Sequence, residues 1–163
     1  STTLFRSQKI THTNAELAFL SIRKLFPDEI IPGDIDVMAC ATGNPDQLLP
    51  SHASMVHGLM KNRPMELYSA SGVCLTCLQA LKISYLAVLS GMSSKAICST
   101  SELASPTLRA KNYEEEYELC ARVGEDPYMA FEKDFLRFML SDGASAVLLS
   151  DRKSENGLSF KIE

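Results

Sequence analysis

The sequence has no cluster of lysine and arginine, and its formal net charge is −4. Those two features exclude a surface built for nucleic acid or an anionic membrane. No apolar run is long and unbroken enough to cross a bilayer, and no leader of a secretory kind opens the chain, so the expectation is a cytoplasmic protein with no membrane partner. Histidine is scarce, with only His12, His52 and His57, and none is spaced as a zinc-binding pair. A second Cys-x-x-Cys is lacking as well. That leaves Cys74-x-x-Cys77 without the company of a zinc site, and no metal is expected. The five cysteines (Cys40, Cys74, Cys77, Cys98, Cys120) are odd in number, which argues against a disulfide framework. A redox role for the Cys74/Cys77 pair stays open, although Cys77 reads more simply as a packing residue inside a helix.

What is present is a chain of 163 residues with an ordinary apolar fraction, enough for one domain with a real core. Its organising stretch runs from Met65 to Gly91, MELYSASGVCLTCLQALKISYLAVLSG. The reading is a strand over 65–69, a small-residue turn at Ala70-Ser71-Gly72, and an apolar helix with Cys74 in its first turn. Unpaired N–H groups and the macrodipole favour negative charge at such a place, the setting in which a cysteine serves as a nucleophile. Apolar side chains cover most of the helix, whose only charge is Lys82. The pattern predicts burial on nearly all sides, with the nucleophile at the bottom of a pocket.

Elsewhere the periodicities alternate between helix and strand. Thr13-Asn14-Ala15-Glu16 is a capping box ahead of Leu17, Leu20, Ile22 and Leu25, a helix that ends before Pro27. Residues 35–41 (IDVMACA) read as a buried parallel strand, and Thr42 to Asp46 as a turn-rich loop. Pro50 and Ser51 open a second helix with Met55, Val56, Leu59 and Met60 on its apolar side, and Asn62-Arg63-Pro64 stops it. His52 and His57 sit in that helix as solvent-facing or core-edge residues. KAICST (95–100) and SAVLLS (145–150) are further strands, and Leu158 to Ile162 is a candidate for one more. The order specifies a layered α/β sheet. Residues 101–130 are charge-rich without a sustained apolar face, a surface insertion of the kind that forms lids or partner surfaces. Phe131, Phe135, Phe138 and Met139 then return the chain to the core at helical spacing.

Four segments in this order resemble the N-terminal half of a thiolase-fold condensing enzyme of the β-ketoacyl-acyl-carrier-protein synthase III family. They are DIDVMACATGNPDQLLPS, SASGVCLTCLQALKISYLAVLSG, KAICSTSE and FMLSDGASAVLLS. The resemblance spans nearly the whole chain, residues 1–163, as a single incomplete domain. It implies an α/β/α half-domain with a mixed, mostly parallel sheet of about five strands. The strands at 66–69, 35–41, 95–100 and 145–150 would lie side by side in that order, with the last antiparallel.

By the same resemblance Cys74 is the acyl-accepting cysteine. Cys40, in ACATG, imitates the nucleophile motif of the related synthases I and II, but no long buried helix follows it. The implied chemistry is ping-pong: the thiolate takes an acyl group from acyl-CoA and passes it to a carbanion made by decarboxylating a malonyl thioester. Acyl-CoA and acyl carrier protein are the implied partners, as substrates, with no separate cofactor. Leu48 and Leu49 match acyl-pocket positions reached from across a dimer interface whose edge is strand 65–69, and Leu140 is a further substrate-binding candidate.

Arg137 falls near, though displaced from, an arginine that holds CoA in some relatives. The sequence departs from the family in lacking its first strand and its catalytic His and Asn, which belong to the second half of the fold. The chain alone should not condense substrates. A noncatalytic, chain-length-factor-like partner subunit and a hydroxymethylglutaryl-CoA synthase are the alternatives. Retention of Cys74 disfavours the first, and Thr42-Gly43-Asn44 in place of an acidic base disfavours the second.

Overall fold

Six small or apolar residues in a row, VMACAT, suit a strand with no solvent face, and in the computed structural model Val37–Thr42 (β1) is buried at every position. The structure describes residues 10–26, 31–109, 138–154 and 158–162. Around β1 stand helix α1 (Asn14–Arg23), helix α2 (His52–Met60), strand β2 (Glu66–Ser71), helix α3 (Thr76–Leu89), strand β3 (Lys95–Glu102) and strand β4 (Gly143–Ser150). The sheet order is β2-β1-β3-β4. β1 pairs in parallel with both β2 and β3, and β4 runs antiparallel to β3. Both the order and the reversed last strand are those the resemblance implied, with four strands rather than about five among the described residues. Leu158–Ile162 is not a strand, and Leu158 and Phe160 are exposed.

The connections decide the layers. From β1 the chain crosses through α2 to one neighbour, and from β2 it crosses back through α3 to the other. Right-handed crossovers in opposite directions place their helices on opposite faces of the sheet. The packing agrees. Met38, Cys40 and Ile97 join α1 and α2 in one core, whereas Ala39, Ala41 and Cys98 face α3 in the other.

Local chemistry sets the helix ends. The capping box at the head of α1 is complete, with Glu16 N–H donating to Thr13 Oγ1 at 3.2 Å and Thr13 N–H to Glu16 Oε2 at 2.8 Å. Ser51 caps α2, which ends at Lys61 in the left-handed conformation (φ 53°). Several boundaries differ from the sequence reading: β1 covers 37–42 rather than 35–41, and β4 starts at Gly143 rather than Ser145. Ala70 and Ser71 continue β2, and only Gly72 begins the turn. β3 runs on to Glu102, with Leu103 and Ala104 buried after it, so the start of the expected 101–130 excursion belongs to the core. Residues 110–137, including the rest of that segment, Phe131, Phe135 and Arg137, lie outside the described residues. Phe138 and Met139 are exposed, contrary to their expected return to the core.

Candidate active site

Parallel strands that all end at one edge deliver their loops to one place, and a ligand site forms there where the chain order reverses. Thr42 pairs with Ser71, Ala41 with Thr100, and Glu102 with Gly143. That register gathers the turn carrying Cys74, the loop carrying Leu48 and Leu49, and the segment of Leu140 at the same edge. Leu48 and Leu49 are 87% and 84% exposed, and Leu140 is exposed as well.

Cys74 stands in a turn between β2 and α3 rather than in the helix's first turn. The helix begins at Thr76, and its cap residue Leu75 makes no side-chain cap hydrogen bond. Gly72 holds φ at +156°, which L side chains rarely adopt, and a Cβ there would approach Thr76 Cγ2 to 3.1 Å. Thr76 ties the turn from the other side, donating from its N–H (3.1 Å) and its hydroxyl (2.7 Å) to the Val73 carbonyl. The Cys74 thiol is exposed, not at the floor of a pocket within the described residues.

Behind this turn three strand ends are braced together. Gly43 N–H donates to Glu102 Oε2 at 2.8 Å. A Cβ on Gly43 would stand only 2.8 Å from the Gly72 carbonyl oxygen, so glycine alone permits the two loops to meet this closely. Asp46 receives Asn14 N–H and Ala15 N–H, each at 2.8 Å, which anchors the loop after β1 on the N-terminus of α1. Sequence reasoning places Gly72 in the turn and Gly43 in the loop after β1, but does not show that the two meet or that Glu102 braces them. A glycine at each of two parallel strand ends and an acid at the third was the available signal.

The other sulfur and imidazole groups separate clearly from Cys74. Cys40 is fully buried in mid-strand, and burial pushes its thiol up to about 12. Cys98 is raised to about 11, chiefly by burial. Cys77 is exposed, which corrects its reading as a packing residue, and its S–H donates to the Cys74 carbonyl at 3.5 Å. Among the described residues no group of three or more His, Cys, Asp and Glu side chains is placed to hold a metal. His57 shares a hydrogen bond with the Arg63 carbonyl at 3.0 Å.

His52 lies deeper than the solvent-facing or core-edge position expected of it. It is 4% exposed, with Nε2 at 3.1 Å from Ser101 Oγ. Burial holds its pKa below the usual imidazole value, against a smaller upward pull from Asp46. The folded protein therefore takes up this proton less readily than the unfolded chain, whose histidine titrates near about 6.5. The stabilisation from His52 is complete above that value and is lost as pH falls toward the folded-state pKa. Thermal melts at about pH 7.5 and about pH 5.5 should show this loss, and His52→Gln should shrink the difference between them. An unchanged difference would assign the acid lability to other groups.

The helix behind Cys74 is the largest departure from the sequence reading. Only Thr76, Ala80, Ser84 and Ala87 are buried, the stripe turned to the sheet. These small residues let the helix lie close, and Ser84 Oγ donates to the Ile97 carbonyl at 3.3 Å. Leu75, Leu78, Leu86 and Leu89 are all exposed on the remaining surface.

No family model matches the chain, and no curated protein does. Solved structures do. AbyA1, a tetronic acid condensing enzyme, superimposes with a TM-score of 0.69 at 22% identity, covering 91% of this chain and 41% of its own. Acetamide-bound OleA of Xanthomonas campestris gives 0.68 at 21% identity over 86% and 42% of the two chains. The β-ketoacyl-[acyl carrier protein] synthase III of Thermus thermophilus gives 0.62 at 20% identity over 89% and 39%. The fold is that of the thiolase-type condensing enzymes. The chain spans about two fifths of the length of the structures it matches. Among its described residues no helix is long and apolar enough to cross a membrane.

Proposed function

We propose that this chain carries the acyl-accepting cysteine of a condensing acyltransferase of the 3-oxoacyl-acyl-carrier-protein synthase III type. The observation that carries the reading is the placement of Cys74: an exposed thiol on the turn between a parallel strand and its crossover helix, at the edge where β1, β2 and β3 all end. Its sulfur would attack the carbonyl of an acyl-CoA, expel CoA as the thiol, and hold the acyl group as a thioester. A malonyl thioester would then lose carbon dioxide, and its carbanion would attack the acyl carbon and return the cysteine thiolate. The fold of AbyA1, OleA and the synthase III enzymes supports this class of chemistry.

The second step needs donors to the malonyl thioester oxygen. The role falls to no histidine of this chain, because none of His12, His52 and His57 matches the position that the resemblance implies, and His52 is buried against Ser101. The missing donors are assigned to the part of a condensing enzyme that this chain does not span. The leucine face of α3 supports the same view, because an apolar stripe of that extent wants a cover. Among the described residues β2 is hydrogen-bonded on one side only, which suits pairing with a second copy, and Leu48 and Leu49 would then reach the partner's acyl site.

The test is direct. Full-length protein incubated with a panel of acyl-CoAs, digested and mapped by mass spectrometry should carry the acyl mass on the peptide containing Cys74. An unlabelled Cys74 in folded protein would overturn the reading in favour of a noncatalytic subunit. The 163-residue chain alone should give no ketoacyl product from acyl and malonyl thioesters.

A further inference from the structure

We propose that Cys74 and Cys77 form a dithiol that hydroperoxides convert to an intrachain disulfide, which makes the turn ahead of α3 an oxidative modification site. Both thiols are exposed and free, unlike the buried Cys40 and Cys98. The side chain of Cys77 leans back toward the helix start, as helical side chains do, and its sulfur lies 3.5 Å from the Cys74 carbonyl oxygen. Residues three apart on a regular helix hold their Cβ atoms about 5–6 Å from one another, whereas a disulfide needs about 4 Å. The difference falls on a segment able to close it. Cys74 precedes the first helical residue and lies outside the regular α3 ladder, so its backbone is free of the spacing that a helix imposes.

The reaction balances with a hydroperoxide as oxidant. The Cys74 thiolate attacks the terminal peroxide oxygen, giving a sulfenic acid and releasing water when the oxidant is hydrogen peroxide. The Cys77 thiol then displaces the hydroxyl group as a second water and forms the S–S bond. Two thiols lose two electrons and two protons, and the peroxide takes them up. Among the described residues Cys98 is the competing sulfur, since it lies close enough to Cys77 for their charges to oppose each other. It is buried on β3, and burial keeps its thiol protonated, so Cys77 is left to Cys74. That the disulfide would also stop acyl transfer rests on Cys74 being the acyl acceptor. Bond formation itself does not.

The test is to titrate fully reduced full-length protein with hydrogen peroxide, quench with iodoacetamide and digest with trypsin. Trypsin does not cut between Arg63 and Pro64, so both cysteines fall in the peptide Asn62 to Lys82. The expected result is a peptide lighter by about 2 Da, carrying no alkyl label and restored by dithiothreitol. In Cys77→Ser the same dose should instead add oxygen to Cys74, up to about 32 Da for the sulfinic acid. Wild-type protein with an oxygenated Cys74 beside an alkylated Cys77, a bridge from Cys77 to Cys98, or no oxidation of either cysteine would overturn the proposal. Acyl-CoA labelling of the reduced protein separates the two readings. A disulfide without an acyl adduct sinks only the acyl-transfer reading, and an adduct without a disulfide sinks only this one.

Discussion

Cys74→Ser is expected to abolish the acyl adduct and to lower condensing activity of the full-length protein by about three orders of magnitude or more, with the melting temperature nearly unchanged. The separation follows from where the residue sits. Its side chain is exposed on a turn, so exchanging sulfur for oxygen removes no core contact, and exposed substitutions of that kind stay within about 0.5 kcal/mol. The loss is chemical. A serine hydroxyl at the same point has no general base among the neighbours described here, and an unactivated hydroxyl is a poor nucleophile. Parallel acylation assays and thermal melts check both halves. Retained acylation in Cys74→Ser would move the acceptor elsewhere.

Gly43→Ala should do the opposite, harming the fold first and the chemistry through it. The new methyl would stand 2.8 Å from the Gly72 carbonyl oxygen and 3.0 Å from Glu102 Oε2. The carboxylate can rotate away, but only by giving up its bond to Gly43 N–H. The carbonyl is backbone and cannot, so the ends of β1 and β2 must part. Overpacking of this kind costs about 1–3 kcal/mol. It also displaces Gly72 and with it the turn of Cys74, so Cys74 alkylation should change together with stability. Gly58, on α2, has nothing within 4 Å of its own added Cβ. Gly58→Ala should therefore stabilise by about 0.5–1 kcal/mol. Denaturant titrations of both variants give the comparison, and a neutral Gly43→Ala would show that the three strand ends are not braced.

Much of the architecture was readable in advance because its determinants are local or come in a fixed order. The Thr13/Glu16 box, the uninterrupted VMACAT and the Asp142-Gly143-Ala144 entry to a strand each carry their own signature, and the resemblance supplied the sheet order. The errors lie where a residue's environment is set by something distant in sequence. Apolar side chains on every side of α3 were read as burial on every side. In the structure the small residues are buried, Leu81, Ile83, Tyr85 and Val88 pack partly against the same core, and Leu75, Leu78, Leu86 and Leu89 face outward, a division that periodicity within the chain does not show. Cys77 was misread for the same reason. His52 lies deeper than its solvent-facing or core-edge reading, and its hydrogen-bond partner Ser101 is 49 residues away in sequence. The bracing of Gly43 by Glu102 joins two strand ends, and neither position alone announces the other.

The central position of β1 also bears on how the protein is born. The strand ends at Thr42, yet its second neighbour starts only at Lys95, and β3 in turn waits for Gly143 to bring β4. A ribosome therefore releases the most apolar strand long before the partners that saturate its backbone have been synthesised. Sequence-distant pairing of this kind is slow to form and leaves an open ladder for other chains to occupy in the meantime. Yield in a cell should thus depend on translation rate, temperature and chaperone supply more than the finished sheet would suggest.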